Sequence, residues 1–104
     1  MILHAVLFRF VAGVSPQSEA AQSLHAALSA LPEQISEIRS WQCGFNVTPD
    51  AQAADYVLLA GFDDEAALQR YFEHPAHLVV LRQAEGLVTV LFGDIQSSAL
   101  TGQV

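Results

Sequence analysis

Ile2-Leu3-His4-Ala5-Val6-Leu7-Phe8-Arg9-Phe10 opens the chain, and the two faces of this stretch decide the fold. Read as a strand over residues 2–11, it puts Leu3, Ala5, Leu7 and Arg9 on one side. His4, Val6, Phe8 and Phe10 fall on the other, because successive side chains of a strand point to opposite faces. Both sides are mostly apolar, so both require cover. Residues 55–62 repeat the pattern, with Tyr56, Leu58, Ala60 and Phe62 against Val57, Leu59 and Gly61, and residues 87–95 are again apolar on both faces. An antiparallel sheet with one wet face alternates apolar with polar residues. These three strands do not.

The segments between them fill in the order. Ser15-Pro16 predicts an N-cap followed by a first-turn proline, opening a helix that runs to about residue 30 and stops at Pro32. Its inner stripe is Ala20, Leu24, Ala27, Leu28 and Leu31, with Ala21, Ala26 and Ala30 adding propensity and His25 expected to be exposed. A second strand over residues 38–47 alternates Trp41, Cys43, Phe45 and Val47 with Gln42, Gly44 and Asn46, and Gly44 predicts a bulge or a close backbone approach. Residues 48–54 are small and polar, the composition of a hairpin connection. Asp63-Asp64-Glu65 then caps the free N–H groups of a second helix, a commoner use of three acids than a metal site. Pro75 stops or kinks that helix, residues 76–85 continue it, and Gly86 suits the C′ position.

The order strand, helix, strand, strand, kinked helix, strand is that of an α+β, ferredoxin-like (split βαβ) fold: a four-stranded antiparallel sheet with helices on one face. Two helices cover only one side of it. The other apolar side is therefore expected to meet its own copy about a two-fold axis, a homodimer that forms a dimeric α/β barrel.

Composition agrees. The 104 residues make one domain, over 1–96, with a polar tail over 97–104 anchored by Leu100. Hydrophobic residues reach 52% and charged residues only 14%, which again asks for a second buried surface. No apolar run approaches the roughly 18–20 residues of a membrane span, so no membrane is expected. Without a basic start for a signal peptide, the expected location is cytoplasmic. The net charge is −7, from a chain with four arginines and no lysine, which argues against nucleic acid and anionic membrane surfaces as partners. The single Cys43 excludes an intramolecular disulfide and a multi-cysteine zinc site, and reads as a buried structural thiol.

Chemistry concentrates in Gln69-Arg70-Tyr71-Phe72-Glu73-His74-Pro75-Ala76-His77. Tyr71 and Phe72 follow Leu68 on the inner stripe of a helix. A helix restarting at Pro75 puts His77 in its first turn, where free N–H groups and the positive dipole end disfavour an imidazolium. A neutral imidazole near a phenol is a proton-transfer pair. The alternative reading gives His74 a capping role and His77 a hydrogen-bonded structural one. His4 likewise reads either as a core histidine donating to a backbone carbonyl or as a polar group lining a pocket. A metal site built from His4, Glu73, His74 and His77 is disfavoured, because the proline separates the last two histidines and nothing fixes a third ligand.

The opening stretch, Leu31-Pro32 ahead of Ile38-Arg39-Ser40, Gly44, Phe62-Asp63-Asp64-Glu65-Ala66 before Tyr71, and above all His74-Pro75-Ala76-His77, resemble the stress-responsive dimeric α/β-barrel (Dabb) family over residues 2–95. The resemblance implies a ferredoxin-like subunit and a dimer. Its best-understood member is a plant polyketide cyclase, olivetolic acid cyclase, which works by aldol condensation without a cofactor through a tyrosine and the second histidine of HPAH. Those positions match Tyr71 and His77, and that cyclase's first-strand histidine matches His4, while its third-strand pocket histidine aligns with Tyr56 here. On this reading a small-molecule site lies between sheet and helices, lined by His4, Phe8, Tyr56, Tyr71, Phe72 and His77, with no metal and no cofactor. His77 would act as general base and Tyr71 would hydrogen-bond a carbonyl of a small aromatic or polyketide-like ligand. Two other readings share the fold: a non-catalytic metabolite-binding or structural dimer, and a cofactor-free monooxygenase of the wider dimeric α/β-barrel group.

Overall fold

Strand β1, Ile2–Phe10, runs through the middle of a four-stranded sheet. The computed structural model describes residues 1–97, so from residue 98 on the expected tail, with Leu100, lies outside the described residues. The other strands are β2, Ser40–Phe45, β3, Tyr56–Phe62, and β4, Val88–Gln96. They stand in the order β2-β3-β1-β4, with every neighbouring pair antiparallel. Four helices connect them: α1, Glu19–Ser29, α2, Leu31–Gln34, α3, Glu65–Glu73, and α4, Pro75–Ala84. This is the ferredoxin-like arrangement expected from the element order.

The core forms where the even-numbered face of β1 and β3 meets the helices. Ile2, Val6, Phe8, Leu58, Ala60 and Phe62 are buried against Leu24 and Leu28 of α1, Leu31 of α2, Leu68 and Tyr71 of α3 and Val80 of α4. Each large side chain so buried stabilises the fold by about 1.5–3 kcal/mol relative to exposure. The odd-numbered face is uncovered. Leu7, Leu59, Leu91 and Ile95 are all exposed there, Leu91 at 71%.

Several local expectations are corrected. Helix α1 starts at Ser18, whose side chain accepts from Ala21 N at 3.1 Å, while Ser15 closes the turn before it. The buried stripe therefore runs through Ala21, Leu24 and Leu28, and Ala20 is exposed. Pro32 does not end the helical region but sits in the first turn of α2, where its missing N–H costs nothing. Gly44 makes neither bulge nor close approach: the β2–β3 register is unbroken, and a Cβ at Gly44 would touch nothing within 4 Å. The close approach is at Gly61, where a Cβ would collide with Ser40 Oγ. Asp64 caps α3 as expected, accepting from Ala67 N at 2.8 Å. Gly86 follows α4 with φ +79°.

Candidate functional site

The break between α3 and α4 places the two residues singled out in sequence. His74 leaves the helix in extended conformation, and its Nδ1 accepts from Ala76 N at 3.0 Å, capping α4 as Pro75 enters the first turn. The turn brings His77 back over the end of α3. Its Nδ1 lies 3.1 Å from the Phe72 carbonyl oxygen, and its ring centroid is 4.4 Å from that of Tyr71. A carbonyl only accepts, so Nδ1 carries the proton and Nε2 keeps the lone pair. Burial lowers the pKa of His77; the Phe72 hydrogen bond opposes this, and the nearby His4 and His74 add to the lowering. The imidazole is thus held neutral. Tyr71 is buried in the core, and that burial pushes its phenol pKa well above the ordinary value. Its hydroxyl has no hydrogen-bond partner among the described residues.

His4 lies across from this pair, 3% exposed and ringed edge-on by Phe62, Tyr71, Phe72 and Phe92. It pairs across the sheet with Asp94, and its Nδ1 is 2.5 Å from Asp94 Oδ1. His4 therefore donates to a carboxylate, not to the backbone carbonyl considered from sequence. Asp94 itself was not anticipated, because only the β1–β4 register sets it beside His4.

These groups border a cavity of about 230 Å³ between the sheet and the helices. His4, Val6 and Phe8 line its sheet side, and Tyr71, Phe72 and His77 its helix side. Phe92 of β4 and Leu81 of α4 also line it, and both are exposed. No arginine is among the lining residues. Five of the six residues expected at the site thus meet around one space.

Tyr56 is the exception. It does not line this cavity, and instead its hydroxyl lies 2.6 Å from His25 Nδ1, within rings of Phe8 and Phe45. His25 is correspondingly half-buried, not exposed. The pattern that placed His25 beside Leu24 and Leu28 carried the signal, but only the fold shows that a phenol waits opposite. Cys43 is half-buried in the same neighbourhood, 3.7 Å from Ser29 Oγ.

A chain with this sheet order, this helix break and this cavity falls within a recognised class. Residues 2–96 match the model of the stress responsive A/B barrel domain, and the chain belongs to that family. It is 39% identical over 77 residues to an uncharacterised protein of Streptomyces coelicolor, an alignment covering 74% of this chain and 79% of that one. It is also similar to a solved dimeric protein of unknown function and ferredoxin-like fold from Bacteroides fragilis. That match has a TM-score of 0.81 at 25% identity, over 92% of this chain and 95% of the other. A dimeric ferredoxin-like protein of unknown function from Thermobifida fusca gives a TM-score of 0.80 at 26% identity, over 90% and 88%. The fold is shared with enzymes too. A hydroxynitrile lyase from Passiflora edulis has a TM-score of 0.74 at 18% identity, over 93% and 94% of the two chains. A cofactor-independent oxygenase from Streptomyces nogalater has a TM-score of 0.72 at 17% identity, over 92% and 91%. At those identities the likeness is one of fold.

Proposed function

We propose that the cavity binds a small neutral carbonyl compound and moves a proton at the carbon beside its carbonyl. The carrying observation is that Tyr71, whose hydroxyl has no hydrogen-bond partner among the described residues, lines an apolar cavity beside a histidine with one nitrogen fixed on Phe72 O. His77 Nε2 removes the proton as general base. Tyr71, held protonated by burial, donates to the carbonyl oxygen as negative charge develops on it, in a site where water does not screen the interaction. The enolate then either regains a proton elsewhere, an isomerisation, or attacks a second carbonyl, an aldol ring closure. Neither route needs a cofactor.

Size and charge narrow the ligand. A cavity of about 150 Å³ is enough to hold benzene, so about 230 Å³ suits a single substituted ring better than an extended polyketide chain. With no arginine in the lining, an anionic ligand would lose hydration without gaining a counter-charge. The test is deuterium exchange at the α-carbon of acetophenone and cyclohexanone in D₂O, with 4-acetylbenzoate, which keeps the acetyl methyl, as the anionic control. Exchange of a ketone catalysed by the wild type is the expected result. Binding without exchange would assign the cavity to a non-catalytic role, and neither binding nor exchange would end this reading.

We infer also that the chain is a homodimer through its uncovered sheet face, as the exposed Leu7, Leu59, Leu91 and Ile95 and the dimeric relatives support. Leu7→Glu sets a charge into that contact and is expected to yield monomers by sedimentation. A wild type that sediments as a folded monomer at micromolar concentration contradicts the assembly.

A further inference from the structure

His4 has a second space behind it. Asp94, which holds His4 Nδ1, does not line the central cavity; it lines an outer cleft of about 360 Å³ together with Glu65, Leu68, Gln69 and Gln96. Its side chain is 28% exposed, against 4% for that of His4. A buried imidazole is thus joined at one nitrogen to a carboxylate that reaches water, while its other nitrogen is the one free to act toward the cavity.

We propose that His4 and Asp94 carry protons between the cavity and the outer cleft. The inference rests on the proton-transfer reading of the cavity. In one direction His4 Nε2 takes a proton from a donor in the cavity as the Nδ1–H bond breaks toward Asp94 Oδ1. Asp94 then releases that proton to water in the cleft and is a carboxylate again. One proton has entered the ring and one has left, so the imidazole ends neutral as its other tautomer. The reverse sequence brings a solvent proton in and restores the first tautomer. His77 lacks such a route through its Nδ1, because Phe72 O is an amide oxygen that accepts a hydrogen bond without taking up a proton near neutrality. The two histidines therefore divide the work: His77 exchanges a proton with the ligand, and His4 connects the cavity to solvent.

The test needs no ligand. In ¹⁵N-labelled wild-type protein, His4 is expected as the Nδ1–H tautomer, with that proton exchanging measurably with water by NMR saturation transfer. Asp94→Asn keeps the shape but not the basicity, and should slow the exchange by at least about a hundredfold, the lower edge of what a positioned acid–base group supplies. Asp94→Ala should be equally slow, with formate restoring exchange from the cleft. An Nε2–H tautomer in the wild type would overturn the proposal without recourse to any variant, as would unchanged exchange in Asp94→Asn or no effect of formate. Deuterium wash-in at a ketone α-carbon then separates the two ideas. If ring-proton exchange depends on Asp94 but no ketone exchanges in the wild type, the path stands and the enzyme reading falls.

Discussion

The helix-facing side of the sheet carries two tyrosine–histidine pairs, and they differ in one respect that matters. Tyr56 and His25 close on each other, with a 2.6 Å hydrogen bond inside a shell of Phe8 and Phe45. Tyr71 and His77 have ring centroids 4.4 Å apart and tilted by 44°, yet their polar atoms do not pair: Nδ1 turns to Phe72 O, and the phenol stays unbonded among the described residues. In both tyrosines burial is the main reason the phenol resists ionisation. The first pair satisfies its phenol within the fold. The second keeps a donor and a lone pair beside a cavity, which is what a ligand carbonyl and an acidic C–H require.

The largest effect separates the two histidines. His77→Ala is expected to lower α-exchange of a bound ketone by roughly 100- to 10,000-fold, the range for loss of a positioned general base, far more than loss of its one hydrogen bond to Phe72 O, about 0.5–1.5 kcal/mol of stability, could account for. His25→Ala should do the reverse: it strips Tyr56 of its partner, lowers the melting temperature and leaves exchange close to normal in the folded fraction. Equal stability losses in the two variants with no kinetic difference would make both pairs structural.

The tyrosines sharpen the contrast at smaller amplitude. Tyr56→Phe removes a hydrogen bond and should cost about 0.5–1.5 kcal/mol, read as a shift in the denaturant midpoint. Tyr71→Phe removes a hydroxyl that has no partner among the described residues, so its stability should hardly change while ketone exchange falls. A midpoint shift for Tyr71→Phe as large as that for Tyr56→Phe would mean that Tyr71 serves the fold as Tyr56 does.

What sequence alone could and could not reveal follows the same division. The ferredoxin-like order was legible because two-sided apolar strands and a proline-broken helix have few solutions, and the His74 cap and Asp64 cap follow from one-dimensional rules about free N–H groups. The placing of His77 near Tyr71 was legible for the same reason, since the kink fixes it locally. Cross-strand and helix–sheet partners were not. Asp94 meets His4 only through the β1–β4 register, and His25 meets Tyr56 only through the way α1 lies on the sheet. The resemblance puts Tyr56 at the cavity in place of a third-strand histidine; Tyr56 does lie on the buried face of β3, but that face is longer than the cavity and Tyr56 falls outside it. Gly44 and Gly61 make the same point, for a glycine's reason lies in what stands opposite it, here Ser40.

The smallest expected effect is on pH dependence, and its sign follows from the burial of His77. Its folded pKa lies below 6.5, the ordinary value that the unfolded chain keeps, so between the two the unfolded state binds more protons. Stability due to this neutral imidazole is fully present above about pH 6.5 and is lost as the pH falls from there through the lowered folded value. One proton limits the slope to about 1.4 kcal/mol per pH unit, and solvent around a half-buried ring reduces it further. Melting measured from pH 7.5 down to 5 should fall more steeply for the wild type than for His77→Gln, which keeps a polar side chain but cannot titrate. Catalysed exchange should outlast this loss on the way down, because the lowered pKa keeps Nε2 unprotonated below the pH at which an ordinary histidine charges. If His77→Gln leaves the slope unchanged, the ring is not held neutral by its surroundings, and the free base that the proposed reaction needs is lost.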